Sequence, residues 1–482
     1  MLNDTSLLCD IISIGAERIS AGSNALTVTN PATGKVIGRV PRLGSSEAER
    51  AIILAEHSQK AWAARSAKLR SDTLKLWSDL IVKNADDLAR ILTLEQGKPL
   101  TEARDEILYG ASYVEWYAQE ARRVYGETIP SPWSDKRMIV LKQPIGVVAA
   151  ITPWNFPNAM ILRKAAPALA AGCTMVVKPA EQTPFSAIAL ALLAERAGVP
   201  AGVFTVITGD AQKIGGAMTA SAVVRKLSFT GSTTVGKELM RQCAGTVKKL
   251  SLELGGNAPF IVFDDADLDA AVEGAIVAKF RNIGQTCVCA NRLYVQSGIH
   301  DAFVTALTAR LQAMIVGDGQ MTKTDFGPLI DDRALRKVEA QIAEAIERGA
   351  LVVLGGQRDV LGRTFFQPTV LTGVKQEMRI AREETFGPVA PIFKFNTEAE
   401  VTEWANDTEF GLAAYFFTRD LARLWRLGER LEYGMVGINT GAISTAEAPF
   451  GGIKQSGIGR EGSRHGLEEY LEAKYLCIGE IN

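Results

Sequence analysis

From Ile139 onward the chain alternates short apolar, β-rich runs with helical segments. The runs are Gly146 to Ile151, Thr174 to Val177, Val203 to Ile207, Lys226 to Phe229 and Lys249 to Leu252, and Pro184 to Ala197 is a typical intervening helix. A helix between successive strands supplies the crossover that parallel pairing requires, so this rhythm predicts a doubly wound α/β sheet. A second alternation predicts a second α/β domain: Phe260 to Phe263, a helix from Asp267 to Phe280, a strand near Leu293 to Val295, a helix from His300 to Ile315 and a strand near Leu351 to Leu354. The N-terminal third is helix-rich. Ser46-Glu47-Ala48-Glu49 has the form of a capping box opening a helix through Ala63, and Lys68 to Leu92 repeats apolar residues at helical spacing. The polar, Pro-interrupted stretch from Arg122 to Val140 and the β-branched and aromatic stretch from Glu468 to Gly479 are expected to pair as an arm outside both domains.

Composition narrows what such a fold does. The 482 residues, 47% hydrophobic and 22% charged, suffice for two or three sub-domains, a large core and an interdomain cleft. With 53 basic against 54 acidic side chains the net charge is −1, so neither nucleic acid nor an anionic membrane is expected as a partner. The six cysteines (Cys9, Cys173, Cys243, Cys287, Cys289 and Cys477) are scattered without a Cys-x-x-Cys pair, which fits a reducing cytosol. His57, His300 and His465 lie far apart and in no metal-binding pattern, so neither a metal nor histidine-based catalysis is expected. Asp4 and Asp10 precede the first basic residue, Arg18, the wrong charge order for a secretory or mitochondrial leader. The apolar runs fall far short of the roughly 20 residues of a membrane span, and the expected setting is the cytoplasm.

Three short motifs supply complementary chemistry. Cys287 in Gly284-Gln285-Thr286-Cys287-Val288-Cys289 offers a soft nucleophile whose thiolate needs backbone amides, a helix N-terminus or a cation in support. Taken alone, Cys-x-Cys is more often a pair of small buried hydrophobes. Glu253, at the end of a strand-like run before Gly255-Gly256, can project into a cleft where partial burial raises its pKa toward that of a useful base. Asn155, between Trp154 and Phe156 and bracketed by Pro153 and Pro157, is either a turn residue or a rigid donor to an oxyanion. Together the three provide what the oxidation of an aldehyde through a covalent thioester needs. Phe229-Thr230-Gly231-Ser232 follows a strand and opens a helix, where a pyrophosphate can sit, although helix capping also accounts for Ser232. Lys178-Pro179-Ala180-Glu181 ends another strand at the edge where nucleotides bind in such sheets. The Gly-x-Gly-x-x-Gly at Gly457 to Gly462 follows no strand and is read as a flexible loop, not a dinucleotide fingerprint.

At these residues, and over essentially its whole length, the chain resembles the aldehyde dehydrogenase superfamily, most closely the succinate-semialdehyde dehydrogenases. Glu384-Thr385-Phe386-Gly387-Pro388 and Pro449-Phe450-Gly451-Gly452 complete the matching stretches. The resemblance implies an NAD(P)-binding domain of residues 1–121 and 141–253, a catalytic domain of 254–455, and a small β oligomerisation arm of 122–140 and 456–482, in a homodimer or homotetramer. It further implies that Cys287 attacks the aldehyde, that Asn155 holds the oxyanion and that Glu253 activates the hydrolytic water. Trp154, Lys178, Glu181, Gly231, Ser232, Glu384 and Phe386 are implied as cofactor-binding.

The expected reaction is oxidation of succinate semialdehyde, or a neighbouring ω-oxo acid such as glutarate semialdehyde, to the free dicarboxylate. Arg163, Arg281 and Ser444 match the residues that grip the remote carboxylate in the family, though Thr445-Ala446-Glu447-Ala448 departs from the subfamily's pattern. A carboxylate at Glu181 would repel a 2′-phosphate, so NAD is the preferred cofactor and NADP the second. Cys289 matches a cysteine that some relatives oxidise against the nucleophile, while a spectator thiol is the competing reading.

Overall fold

A computed structural model describes residues 2–480; residue 1 and residues 481–482, which the expected domain and arm ranges include, lie outside the described residues. The first sheet runs, edge to edge, through Gly457–Ile458, Lys249–Glu253, Val224–Thr230, Val147–Ile151, Thr174–Lys178 and Phe204–Val206. All its pairings are parallel except at the Gly457–Ile458 edge. Strand order reverses at Val147–Ile151, and at such a switch point ligands bind outside the carboxyl ends. The register aligns those ends: Ile151 faces both Lys178 and Phe229, and Thr230 faces Glu253.

The second sheet orders Leu351–Leu354, Thr369–Thr372, Val389–Phe395, Ala290–Gln296, Ala258–Val262, Ala413–Phe417 and Met435–Ile438, all parallel except for the first. Each sheet has its own core. Val148, Val176 and Leu227 belong to one, and Phe260, Leu293 and Phe416 to the other. Helices seal both faces. Trp77 is typical: fully buried, its Nε1 donates to the Leu190 carbonyl at 3.2 Å and its ring lies 5.3 Å from that of Phe204. Truncating such a side chain to Ala costs about 3–5 kcal/mol.

The arm is a three-stranded antiparallel sheet in which Leu471–Ile478 pairs along its whole length with Arg137–Pro144, and Glu127–Ile129 forms the other edge. Tyr475, Leu141 and Trp133 leave apolar surface exposed there. The segment beginning at 456 is divided: Gly457–Ile458 joins the first sheet, the helix Ser463–Glu468 follows, and only the last strand enters the arm. Among the described residues no helix is long and apolar enough to cross a membrane.

One local expectation is corrected, and one helical run is divided. The first helix, Ser45–Ala63, is capped by Glu47, whose carboxylate accepts from the Gly44 N–H at 2.9 Å, so the box sits two residues earlier than Ser46 and does not use Glu49. The run from Lys68 to Leu92 is two helices, Ala67–Lys83 and Ala85–Gln96, broken at Asn84, whose side chain donates to the Leu80 carbonyl at 2.7 Å and whose backbone leaves the helical region. Asparagine favours such local bonds over helix continuation.

Candidate active site

Carboxyl ends of the first sheet face amino ends of the second across a cleft of about 570 Å3. Trp154, Asn155, Thr230, Gly231 and Ser232 line one wall, and Cys287, Glu384, Thr385 and Phe386 line the other. Each residue of the second wall stands just before a strand, Cys287 ahead of Ala290–Gln296 and Glu384 ahead of Val389–Phe395.

Asn155 is buried in the turn after Val147–Ile151, and its Nδ2 donates to the Gln285 carbonyl at 3.0 Å, two residues before Cys287. The Asn155 carbonyl accepts in turn from Asn282 Nδ2 at 3.0 Å. One amide N–H thus fixes the Asn155 side chain beside the nucleophile loop, and Asn155 lines the cleft. The loop leading to the nucleophile is strained: Asn282, Ile283 and Gly284 have φ of 52°, 52° and 79° in succession. A left-handed β-branched residue is a genuine outlier, and such strain collects at functional sites. Packing enforces it, since a Cβ on Gly284 would overlap the Gly387 carbonyl and one on Gly256 would overlap the carbonyl of Cys287 itself.

Cys287 keeps partial solvent access but is ringed by neighbours, and burial pushes its thiol up to about 12, with Arg163 opposing and Glu253 and Glu384 adding to the rise. Desolvation thus opposes the thiolate form of Cys287.

Glu253 is buried with its Oε2 unpartnered, and burial followed by the negative charge of Glu461 holds its pKa well above the ordinary carboxylate value. Glu461 is the opposite case. Although burial opposes it, Lys164 and Arg163 keep it ionised, Arg163 at 2.7 Å and Lys164 in direct contact. Of the two carboxyls, Glu461 is driven toward the charged form and Glu253 toward the neutral one. Glu461 lies in the loop read as flexible from its glycines, yet it is buried and exchanges backbone hydrogen bonds of 2.7 and 2.8 Å with Phe450. Its two cations, not its glycines, explain the order.

The same ion pair divides the expected substrate clamp. Arg163 is fully buried against Glu461, its guanidinium 3.9 Å above the Phe450 ring. Arg281 and Ser444 meet elsewhere, lining a small second cavity with Thr286, Cys289, Tyr415 and Ile443. Cys287 opens on the large cleft while its neighbours Thr286 and Val288 line this second one. Arg281 also stacks over the Phe156 ring at 5.1 Å, next to Asn155. The Cys289 thiol is buried and turned to the Lys279 carbonyl at 3.4 Å.

Of the residues expected to bind a cofactor, Trp154, Gly231, Ser232, Glu384 and Phe386 line the large cleft, and Lys178 and Glu181 are not among its lining residues. Ser232 caps the helix Thr233–Cys243 only weakly, accepting from Val235 N–H at 3.4 Å, which leaves its hydroxyl and the helix N-terminus available to a pyrophosphate. Glu384 accepts from the Gly256 N–H at 3.1 Å and is pushed up to about 7 by burial, with Lys337 opposing. Phe386 stands edge-on to Trp154, centroids 5.6 Å apart. Lys178 is buried at the end of its strand, its pKa lowered by burial with Glu181 opposing, and Glu181 is exposed. The start of the next helix, Pro184–Arg196, is held by Glu95, which accepts from Phe185 and Ser186 N–H, both at 2.8 Å. Glu95, Lys98, Gln285 and Glu461 went unread in the sequence. Only the Gly-Lys-Pro punctuation after Gln96 marks the first two.

The model of the Aldehyde dehydrogenase family matches residues 19–476. A glutarate-semialdehyde dehydrogenase from Pseudomonas aeruginosa is 62% identical, covering 95% of this chain and 94% of that protein. The Escherichia coli succinate-semialdehyde dehydrogenase NADP(+) GabD is 60% identical over 99% of both. The crystal structure of succinate-semialdehyde dehydrogenase from Burkholderia pseudomallei superposes with a TM-score of 0.98 at 58% identity, covering 99% of each chain. Sequence, fold and cleft agree: this chain belongs to the aldehyde dehydrogenase family.

Proposed function

We propose that the protein oxidises succinate semialdehyde, with glutarate semialdehyde as the nearest competitor, to the dicarboxylate, using NAD in preference to NADP. The observation that carries this is Cys287 on the wall of a cleft lined also by Ser232, Glu384 and Phe386, with its neighbours Thr286 and Val288 lining a small adjacent cavity that Arg281 and Ser444 share. The Cys287 thiol passes its proton to water in the cleft and its sulfur adds to the aldehyde carbon, while the carbonyl oxygen, now an oxyanion, takes hydrogen bonds from Asn155 Nδ2 and the Cys287 N–H. Bound in the cleft on Ser232, Lys178 and Glu384, the dinucleotide would supply the hydride acceptor that converts this adduct to a thioester. Glu253, once deprotonated, takes a proton from the water that attacks the thioester, and the Cys287 sulfur leaves. Arg281, with the Ser444 hydroxyl, holds the substrate's far carboxylate by charge-assisted bonds.

The names of the relatives support a short acid-bearing aldehyde and leave C4 and C5 in competition, since one methylene separates such substrates by only about 1–3 kcal/mol. Glu181 supports NAD, and the NADP(+) relative makes NADP the alternative. We assign the first sheet to cofactor binding, the second to catalysis and the arm to self-association. The test is steady-state kinetics with C4 and C5 semialdehydes and an uncharged aldehyde of equal length, with each cofactor. Arg281→Leu should raise KM for the semialdehydes at least tenfold and leave the uncharged aldehyde unchanged, and Glu181→Ser should improve NADP use. A wild type that prefers the uncharged aldehyde would remove the clamp.

A further inference from the structure

Behind the Asn155 turn lies a buried ion pair that the reaction scheme does not use. Lys98 and Glu106 are both inaccessible to solvent, with Nζ to Oε2 at 2.6 Å. Lys98 Nζ also donates to the backbone carbonyl of Asn155 at 2.8 Å and lies 3.7 Å above the centre of the Phe156 ring. The other oxygen of Glu106 accepts from the N–H groups of Asn158 at 3.0 Å and Ala159 at 3.2 Å. One ion pair therefore grips both ends of the turn from Asn155 to Ala159, the stretch that aims the Asn155 side chain.

The adjoining residue ties the same segment to the nucleophile. Gln96 Nε2 donates to Asn282 Oδ1 at 3.0 Å, and Asn282 bonds to the Asn155 carbonyl. Packing fixes this short stretch between helices: a Cβ on Gly327 would overlap the Gly97 carbonyl, and one on Gly319 the Lys98 carbonyl. A lone buried ion pair is weak evidence of stabilisation, because desolvation offsets its attraction, and its placement here calls for another account.

The geometry points to Lys98 as a positioning residue that sets the oxyanion donor of Asn155 through its backbone carbonyl, with Glu106 completing the clamp. The inference rests on reading Asn155 as that donor. A donor displaced by about 1 Å can lose on the order of 100-fold in rate. Lys98→Met should thus slow the first-turnover formation of reduced nicotinamide by about 10- to 100-fold, using whichever aldehyde the wild type oxidises fastest, with the dissociation constant for NAD within about twofold of wild type. In an Asn155→Ala background the same change should cost nothing further. Lys98→Met/Glu106→Gln removes the pair without stranding a charge and carries the same test if the single variant does not fold. A normal first turnover in Lys98→Met, or the same fold-loss with and without Asn155, would overturn the inference. Failure of both variants to fold would also overturn it, since the pair would then serve the fold. If Asn155→Ala alone keeps its first turnover, the reading of Asn155 as the donor fails and the role of Lys98 falls with it, whereas a slowed Asn155→Ala beside a normal Lys98→Met removes the role of Lys98 alone.

Discussion

Gly256 is pressed against the backbone carbonyl of Cys287, so that no side chain fits between the end of the Glu253 strand and the nucleophile loop. This contact joins the two sheets at the reacting atoms. Gly256→Ala should push the Cys287 loop away, at a cost of about 1–3 kcal/mol in stability from overpacking and about 100-fold in kcat/KM from misplacement of the sulfur. Thermal melting with initial rates checks both. Wild-type turnover in this variant would show that the loop yields freely.

Glu253 and Glu461 share the charge of Arg163 and Lys164 unequally, and the pH dependence of hydrolysis follows from that. The negative Glu461 raises the pKa of Glu253. Glu461→Gln removes that repulsion and leaves the two cations to act on Glu253 alone, so the pKa of Glu253 falls. The acid limb of the deacylation profile should move to lower pH. Stability should drop by about 3–5 kcal/mol, because two buried cations lose their partner. Glu253→Gln should keep the first-turnover burst but slow steady-state turnover by about 10²- to 10⁴-fold.

These relationships divide what the sequence discloses from what it hides. The strand and helix alternation is local, and Val147–Ile151, Thr174–Lys178 and Lys249–Glu253 stand within a residue or two of their sequence-based positions. The motifs around Cys287, Asn155 and Glu253 stand out in the sequence because each has Gly or Pro within three residues, next to a strand. Glu461 does not, because its meaning comes from Lys164 and Arg163, about 300 residues away in the chain, and its own glycines pointed to a loose loop. The pairing of Arg163 with Glu461 was hidden for the same reason. A guanidinium in a helix shows its charge in the sequence but not which carboxylate, substrate's or protein's, will neutralise it. Lys98 shows only a charged turn, and its reach to the Asn155 carbonyl depends on how two helices and a turn pack.

The Cys287 thiol, pushed up to about 12 by burial, should be protonated throughout the neutral range before ligands bind. Its alkylation by a neutral reagent such as iodoacetamide should therefore rise about tenfold per pH unit from 6 to 9 without levelling off, as only the thiolate reacts. Mass spectrometry of the peptide containing Cys287 separates it from Cys289. A plateau below pH 8 would show a thiolate already stabilised at rest.

Glu384 gives a dependence of opposite mechanistic origin, in binding and not in chemistry. Burial raises its carboxyl to about 7, so part of the unliganded protein should carry it neutral near that pH. If Glu384 accepts hydrogen bonds from ribose hydroxyls, only the carboxylate offers both oxygens fully as acceptors, and a bound dinucleotide favours the ionised form. The sign follows directly. Raising pH through about 7 increases the ionised fraction, so the dissociation constant for NAD should fall as pH rises from 6 to 8 and then become flat. Glu384→Gln should bind NAD more weakly at pH 8 and lose this dependence, while its alkylation at Cys287 keeps the slope with pH. Binding titrations at fixed ionic strength decide the point. An affinity in the wild type that is constant over this range would mean that Glu384 is already ionised or does not touch the ribose.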